Sequence, residues 1–261
     1  MKSDALERAL YATKSIPNGK RVELWGNHDV WYTGDEQTYI AHVLPNYKYN
    51  NPYFYTGLPH TVRHPDNSNF MVVYDDYYKI KYLVIANYDF VEDYLDYHVS
   101  VDHWKWIIEQ LSVNDGYDVI IVSHCPLQLY NSGSYDPITG DSYSTPGIAF
   151  VIRGYDNIVN IWNDRKYKRS GSITVDGTVI PYDFTGCTDD LLLSMAGHVH
   201  TDVVDYVGGN GLLEIAYDYF LNDTVHFALI DRENRKIKVW KLSNDSDTPN
   251  VDAWEAPFDK T

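Results

Sequence analysis

The sequence predicts a layered α/β fold, on three observations. Strand-like apolar runs at Ile80 to Ala86 and Tyr117 to Ser123 flank an amphipathic helical segment, Val99 to Leu111. The last third is β-rich, with candidate strands at Leu191 to Ala196, Val203 to Val207, Leu212 to Ala216, Val225 to Ile230 and Lys236 to Leu242. A chain of 261 residues with 15% aromatics can bury a real core.

The elements follow in order. Ala5, Leu6, Ala9, Leu10 and Ile16 have helical spacing, with Ser3 or Asp4 as cap and Pro17-Asn18-Gly19 as stop. Arg21 to Trp25 reads as a short buried strand ending at Gly26, and residues 35 to 43 read as a helix. Asn46 to Pro65 is rich in Tyr, Asn, Pro and Gly and reads as a long loop. Phe70 to Tyr74 and Ile80 to Ala86 form a strand pair around Asp75-Asp76. In the next helix Val101, Trp104, Ile107, Ile108 and Leu111 share one face. Asn131 to Pro146 reads as a surface loop and Gly147 to Trp162 as a helix. Asp176-Gly177 between two β-runs signals a hairpin. Asp231 to Arg235 is a tight turn, and from Ser243 onward the polar tail is expected to run over the surface.

Composition excludes several function classes. The formal charge of -16 disfavours a broad contact with a nucleic-acid backbone. A small phosphorylated substrate stays allowed, because bound cations invert the local sign. No run of 18 apolar residues predicts a membrane span. The N-terminus has no signal-peptide apolar region, and the 2 cysteines, Cys125 and Cys187, make no disulfide framework, so cytoplasmic residence is the expectation.

The chemistry concentrates in three blocks: Gly26-Asn27-His28-Asp29, His124, and Gly197-His198-Val199-His200. Each follows a strand-like run, so three strand ends are expected to deliver ligands to one edge of one sheet. Asn27 offers a side-chain oxygen without adding charge, and the histidines offer neutral imidazoles for a divalent metal. Gly26 and Gly197 permit tight turns or close approach to a ligand. Val199 either leaves His198 and His200 on one side, if extended, or divides them between two ions, if in a turn. Cys125, next to His124, offers a soft sulfur as an alternative ligand. His42, His60, His64, His98, His103 and His226 share no ligand spacing with another motif. Asp75-Asp76, Asp189-Asp190 and Asp245 to Asp247 lack calcium-loop spacing and read as solvated turns.

The order Gly-Asn-His-Asp, then His after a strand, then Gly-His-x-His resembles the calcineurin-like metallophosphoesterases. The resemblance covers about residues 1 to 242, with an irregular insertion at about 128–190 and a tail at 243–261. It implies two sheets packed face to face with helices outside, and a two-metal site along the strand ends. It implies that Asn27, His124 and His198 hold one metal and His200 its neighbour. His28 would face the phosphate and assist the leaving group, with Asp29 orienting it. The implied activity is phosphoester hydrolysis by metal-activated water, with manganese, zinc or iron as cofactor. The family's earlier Asp-x-His and Gly-Asp blocks have no match upstream of Asn27. Asp4, the one early acid in the right region, reads as a helix cap. The sequence therefore predicts a fold lacking two strands at its N-terminal side, with exposed edges that another copy of the chain could cover. It also predicts a site that is weak, partly filled or empty. A non-catalytic binding or structural protein of the same fold is the alternative function, and a metal-dependent nuclease a further one.

Overall fold

The computed structural model describes residues 60–66, 70–85, 98–130, 133–143, 155–199, 201–217, 225–243 and 250–260. The expected helices at 5–16 and 35–43, the strand at 21–25 and the cap at Asp4 lie outside the described residues, as does Asp245 to Asp247.

The described chain is rich in sheet with two long helices. Its strands are β1 (Thr61–Arg63), β2 (Met71–Asp75), β3 (Ile80–Ile85), β4 (Asp118–Ser123), β5 (Ser134–Tyr135), β6 (Ser142–Tyr143), β7 (Ser170–Val175), β8 (Thr178–Asp183), β9 (Leu191–Ala196), β10 (Val203–Tyr206), β11 (Leu213–Ala216), β12 (Val225–Asp231), β13 (Lys236–Ser243) and β14 (Asn250–Pro257). The helices are α1 (Val101–Ser112) and α2 (Tyr155–Lys166). Nine strands form one sheet in the order β1-β2-β3-β4-β9-β11-β10-β5-β6. Within it β3, β4, β9 and β11 run parallel to one another. β12, β13 and β14 form a separate antiparallel sheet, and β7 and β8 a hairpin.

Two cores sit on the two faces of the large sheet. On one face Ile120, Leu193, Val204, Leu213 and Ile215 pack against Ile237, Val239, Trp254, Ala256 and Phe258 of the three-stranded sheet. On the other face Leu83, Ile85, Val119 and Ile121 pack against Trp104, Ile107, Leu111, Ile158, Ile161 and Trp162 from the helices, and against the β7–β8 hairpin. Strand alternation explains the division, since successive residues of each strand point to opposite faces.

The local signals account for the elements. The Ser100 hydroxyl caps α1 by accepting from the His103 N–H. In α2, Ile158, Ile161, Trp162 and Arg165 recur at helical spacing and are buried. The β7–β8 turn has positive φ at both Asp176 (49°) and Gly177 (76°), the geometry of a type I′ hairpin turn. The buried Arg165 guanidinium donates to the carbonyls of Leu111 (2.7 Å) and Asp189 (3.0 Å), so α2 satisfies the open end of α1.

Four expectations need correction. Residues 61–63, read as loop, pair with β2, because Thr61-Val62-Arg63 supplies backbone groups along a sheet edge. Within the expected surface loop from Asn131, Ser134 is buried and β5 pairs with β10. The polar tail after residue 243 returns as β14. In the second half of this strand the alternate residues Trp254 and Ala256 are apolar and inward, and β13 needs a second neighbour. Asp189 is not a solvated turn residue: it is buried and accepts from the N–H groups of Gly116 and Asp115. The described strands of the large sheet pair without interruption from β1 to β6. No described helix is long and apolar enough to cross a membrane.

The Arg165 contacts give a direct test. Arg165→Met keeps the aliphatic stem but leaves two buried carbonyls without their donor. It should lower unfolding free energy by about 2–4 kcal/mol, measured by urea denaturation with unchanged slope.

Candidate metal centre

Parallel pairing builds the site. β4 and β9 lie side by side with Val122 opposite Met195, so both strands end at the same sheet edge. The next residues, His124 and Gly197, are joined by a Gly197 N–H to His124 carbonyl bond of 2.9 Å. β11 ends beside them, with Ala216 opposite Ala196. The carboxyl ends of parallel strands are the usual ligand-binding edge of such sheets.

At this edge His124 Nε2 and His198 Nδ1 are 3.0 Å apart, and the two rings meet edge to face at 4.8 Å. The spacing fits two uses. Without a cation, one ring donates to the other. With a cation, nitrogens each ~2.0–2.1 Å from one ion are about 2.9 Å apart at a right angle and about 3.4 Å apart at the tetrahedral angle. The donor chemistry also fits, because imidazoles bind zinc, iron and manganese as neutral ligands. Cys125 completes a group whose ligand atoms all lie within 4.8 Å of one another. Its thiol is fully buried and burial pushes it well up, whereas metals take the thiolate.

His198 carries the local strain. Its φ is 70°, and the Val199 N–H donates back to the Gly197 carbonyl at 2.8 Å. That bond closes a γ-turn with positive φ at its centre, which is rare and strained for a side-chain-bearing residue. Such conformations cost about 1–3 kcal/mol and persist where the surroundings over-determine them. The expectation that Gly197 supplies the special turn is corrected here. A Cβ on Gly197 would meet His124 only at ordinary contact distances of 3.6 and 3.8 Å, and the left-handed residue is His198 itself. Around this turn Tyr130, Ala196, Val199, Val203 and Ala216 form a small apolar cluster.

Asn27, His28, Asp29, Gly26 and His200 lie outside the described residues, so of the sequence-derived ligands the structure brings together His124 and His198. Other histidines have different company. His60 stacks on Tyr74 at 3.9 Å and pairs with Asp76, and His64 faces His103 at 4.3 Å.

Several residues around the site were not singled out from the sequence. Buried Asp202, just past the histidine turn, pairs with His226 (2.8 Å) and Lys241 (3.0 Å). Those two residues are direct cross-strand partners on β12 and β13, so the second sheet grips the turn from its far end. On the helix side, Glu214 is fully buried and accepts from the Leu127 N–H at 2.7 Å. Asp205, its cross-strand partner, accepts from Gln128 Nε2 (3.0 Å) and Ser134 Oγ (2.7 Å). Burial pushes the Glu214 carboxyl up to about 8, and the nearby Asp205 adds to the rise. The signal was present in Leu212 to Ala216, where one acid interrupts an apolar strand.

No family model matches the chain, and no curated protein matches it.

The Glu214 shift sets a pH dependence. Its folded pKa lies above the ordinary carboxyl value of 4.5. Its contribution to stability is therefore full below that value and is lost as pH rises through about 8. Glu214→Gln removes the buried charge but keeps an acceptor oxygen. Relative to wild type, the variant should gain about 3 kcal/mol between pH 5.5 and 8.5, at about 1.4 kcal/mol per pKa unit. Urea midpoints at the two pH values measure it, and parallel curves for the two proteins would contradict the assignment.

Proposed function

We propose that the chain is a calcineurin-like metallophosphoesterase that hydrolyses a small phosphorylated substrate with divalent metal ions. One observation carries the reading. Two histidines from separate sequence blocks meet at 3.0 Å on the shared end of parallel strands, one of them in a strained turn. The blocks occur in the order of that family, and a large sheet with helices on one face and a second sheet on the other supports the reading. Asn27 would join His124 and His198 on one ion, and His200 would serve the second. When bound, such a metal pair supplies Lewis-acid activation of water and neutralises phosphate charge.

This chain's own residues then have distinct tasks. His124 and His198 bind as neutral donors, so they add no charge of their own. The His198 turn sets the direction of its ring. His28, near neutrality by its ordinary pKa, would protonate the leaving oxygen, with Asp29 fixing its orientation. The net charge of -16 supports a small anionic substrate drawn by the metals over a polymeric nucleic acid.

A specific observation favours one second reading, a non-catalytic protein of the same fold. Among the described residues the ligand group contains no carboxylate to offset the repulsion of two adjacent dications.

Metal content and hydrolysis separate the two. Protein purified without chelator should carry divalent metal and hydrolyse generic phosphate mono- or diesters with added manganese. His124→Ala, His198→Ala and Asn27→Ala should each lower that rate on the order of 10²-fold, the size of a lost direct contact to reacting charge. Metal-free protein with no hydrolysis would establish the second reading. Full activity in His198→Ala would remove the site assignment, and cleavage confined to DNA would replace the substrate class.

A further inference from the structure

We propose that Glu214 and Asp205 are positioning residues, which hold the Ser123–Gln128 segment and through it keep the His124 imidazole against His198. The proposal deepens the metal-site reading and rests on it for its purpose.

The geometry is specific to that segment. Following the chain from the end of β4, the Ser123 hydroxyl donates to the Cys125 carbonyl at 2.8 Å. Two residues on, the Leu127 N–H donates to Glu214 Oε1. Next, Gln128 is held at both ends: its Nε2 donates to Asp205 and its Oε1 accepts from the Gly208 N–H at 2.8 Å. A stretch that has just left the sheet thus has groups of Leu127 and Gln128 met by β10, β11 and the connection between them, on the far side of β9. The partners are two acids placed directly opposite each other on antiparallel strands. Their side chains share one face, where neighbouring Cβ atoms are about 5 Å apart.

Structure alone does not call for this choice. An apolar pair at these positions would pack the strand, and burying two carboxyl groups side by side is unfavourable. What the acids add is strong, directional acceptors for donors of one segment. Glu214 Oε1 also lies 3.5 Å from Ser194 Oγ on β9, the strand that leads into the His198 turn. The same carboxyl group therefore meets both the segment that follows β4 and strand β9, which deliver the two histidines. Partners behind metal ligands typically govern affinity by 10–100-fold when altered.

Two variants of Glu214 test the role. Glu214→Gln retains the acceptor for the Leu127 N–H, and Glu214→Leu keeps the shape without it. Manganese affinity by calorimetry and imidazole resonances of metal-free protein by ¹H–¹⁵N spectroscopy are read together, with His226 as an internal reference for the fold. Glu214→Gln should bind manganese within ~3-fold of wild type and keep the His124 resonances. Glu214→Leu should bind at least ~10-fold more weakly and shift His124, with His226 unmoved. Gln128→Met, which breaks the bonds to Asp205 and Gly208 and leaves the Glu214 arm in place, should shift His124 in the same direction and serves if Glu214→Leu does not fold. Unmoved His124 resonances in both Glu214→Leu and Gln128→Met would overturn the positioning role. A wild-type chain that binds no manganese would instead overturn the metal reading, and the imidazole spectra would still decide the positioning.

Discussion

The parallel register between β4 and β9 is the constraint from which the site follows. Two parallel strands begin and end on the same sides of a sheet, so residues just past their ends must share an edge. Val122 opposite Met195 fixes the register, and the Gly197 to His124 backbone bond continues it by one step beyond the sheet. A slip by one residue would turn every side chain of β9 to the other face. It would turn Leu193 out of the core it shares with the second sheet. The hydrophobic division of the two faces therefore protects the spacing of two imidazoles.

Around that pair, the interior carries buried ionisable groups, and they are arranged by task. Lys241 brings positive charge to Asp202 from the second sheet, and the His226 ring lies against the same carboxyl group. Glu214 and Asp205 present acceptors to the other histidine's segment from within the first sheet. Both faces of the large sheet thus reach the same edge, one through an ion pair and one through hydrogen bonds. Buried pairs of this kind add little net stability, because desolvation offsets attraction. Their effect is to limit the geometries that the edge can adopt.

Periodicity made much of the fold legible. Helix α1, the strand pair β2–β3, the Asp176-Gly177 hairpin and the strands β9 to β13 each carry a pattern of their own, and all are present. β14 was not legible, because its reason for existing is β13: a strand of alternating Ala, Trp and charge among prolines and aspartates looks like a tail until a partner edge is known. β5 hides for the same reason, being two residues paired to β10. In the site, His124 and His198 could be read from strand-end placement and motif order. Glu214, Asp205 and Gln128 could not be assigned to them, since hydrogen bonds across 77 to 87 residues leave no spacing signal. An acid within an apolar strand marks a burial problem without naming the group that solves it.

The position of the strain bears on what the edge is for. A left-handed residue is most cheaply a glycine, and this chain has one immediately before, at Gly197. The positive φ nevertheless falls on His198. Were the turn only a connection between β9 and β10, exchanging the two residues would relieve the backbone strain. The imidazole would then point elsewhere, and the 3.0 Å approach to His124 would be lost. Retaining the strained histidine therefore makes sense if the ring's direction matters more than the turn's stability, which is the condition set by a shared cation. The backbone bond from Gly197 to His124 and the ion pair at Asp202 close the turn from both ends, and together they supply the over-determination that such a conformation needs.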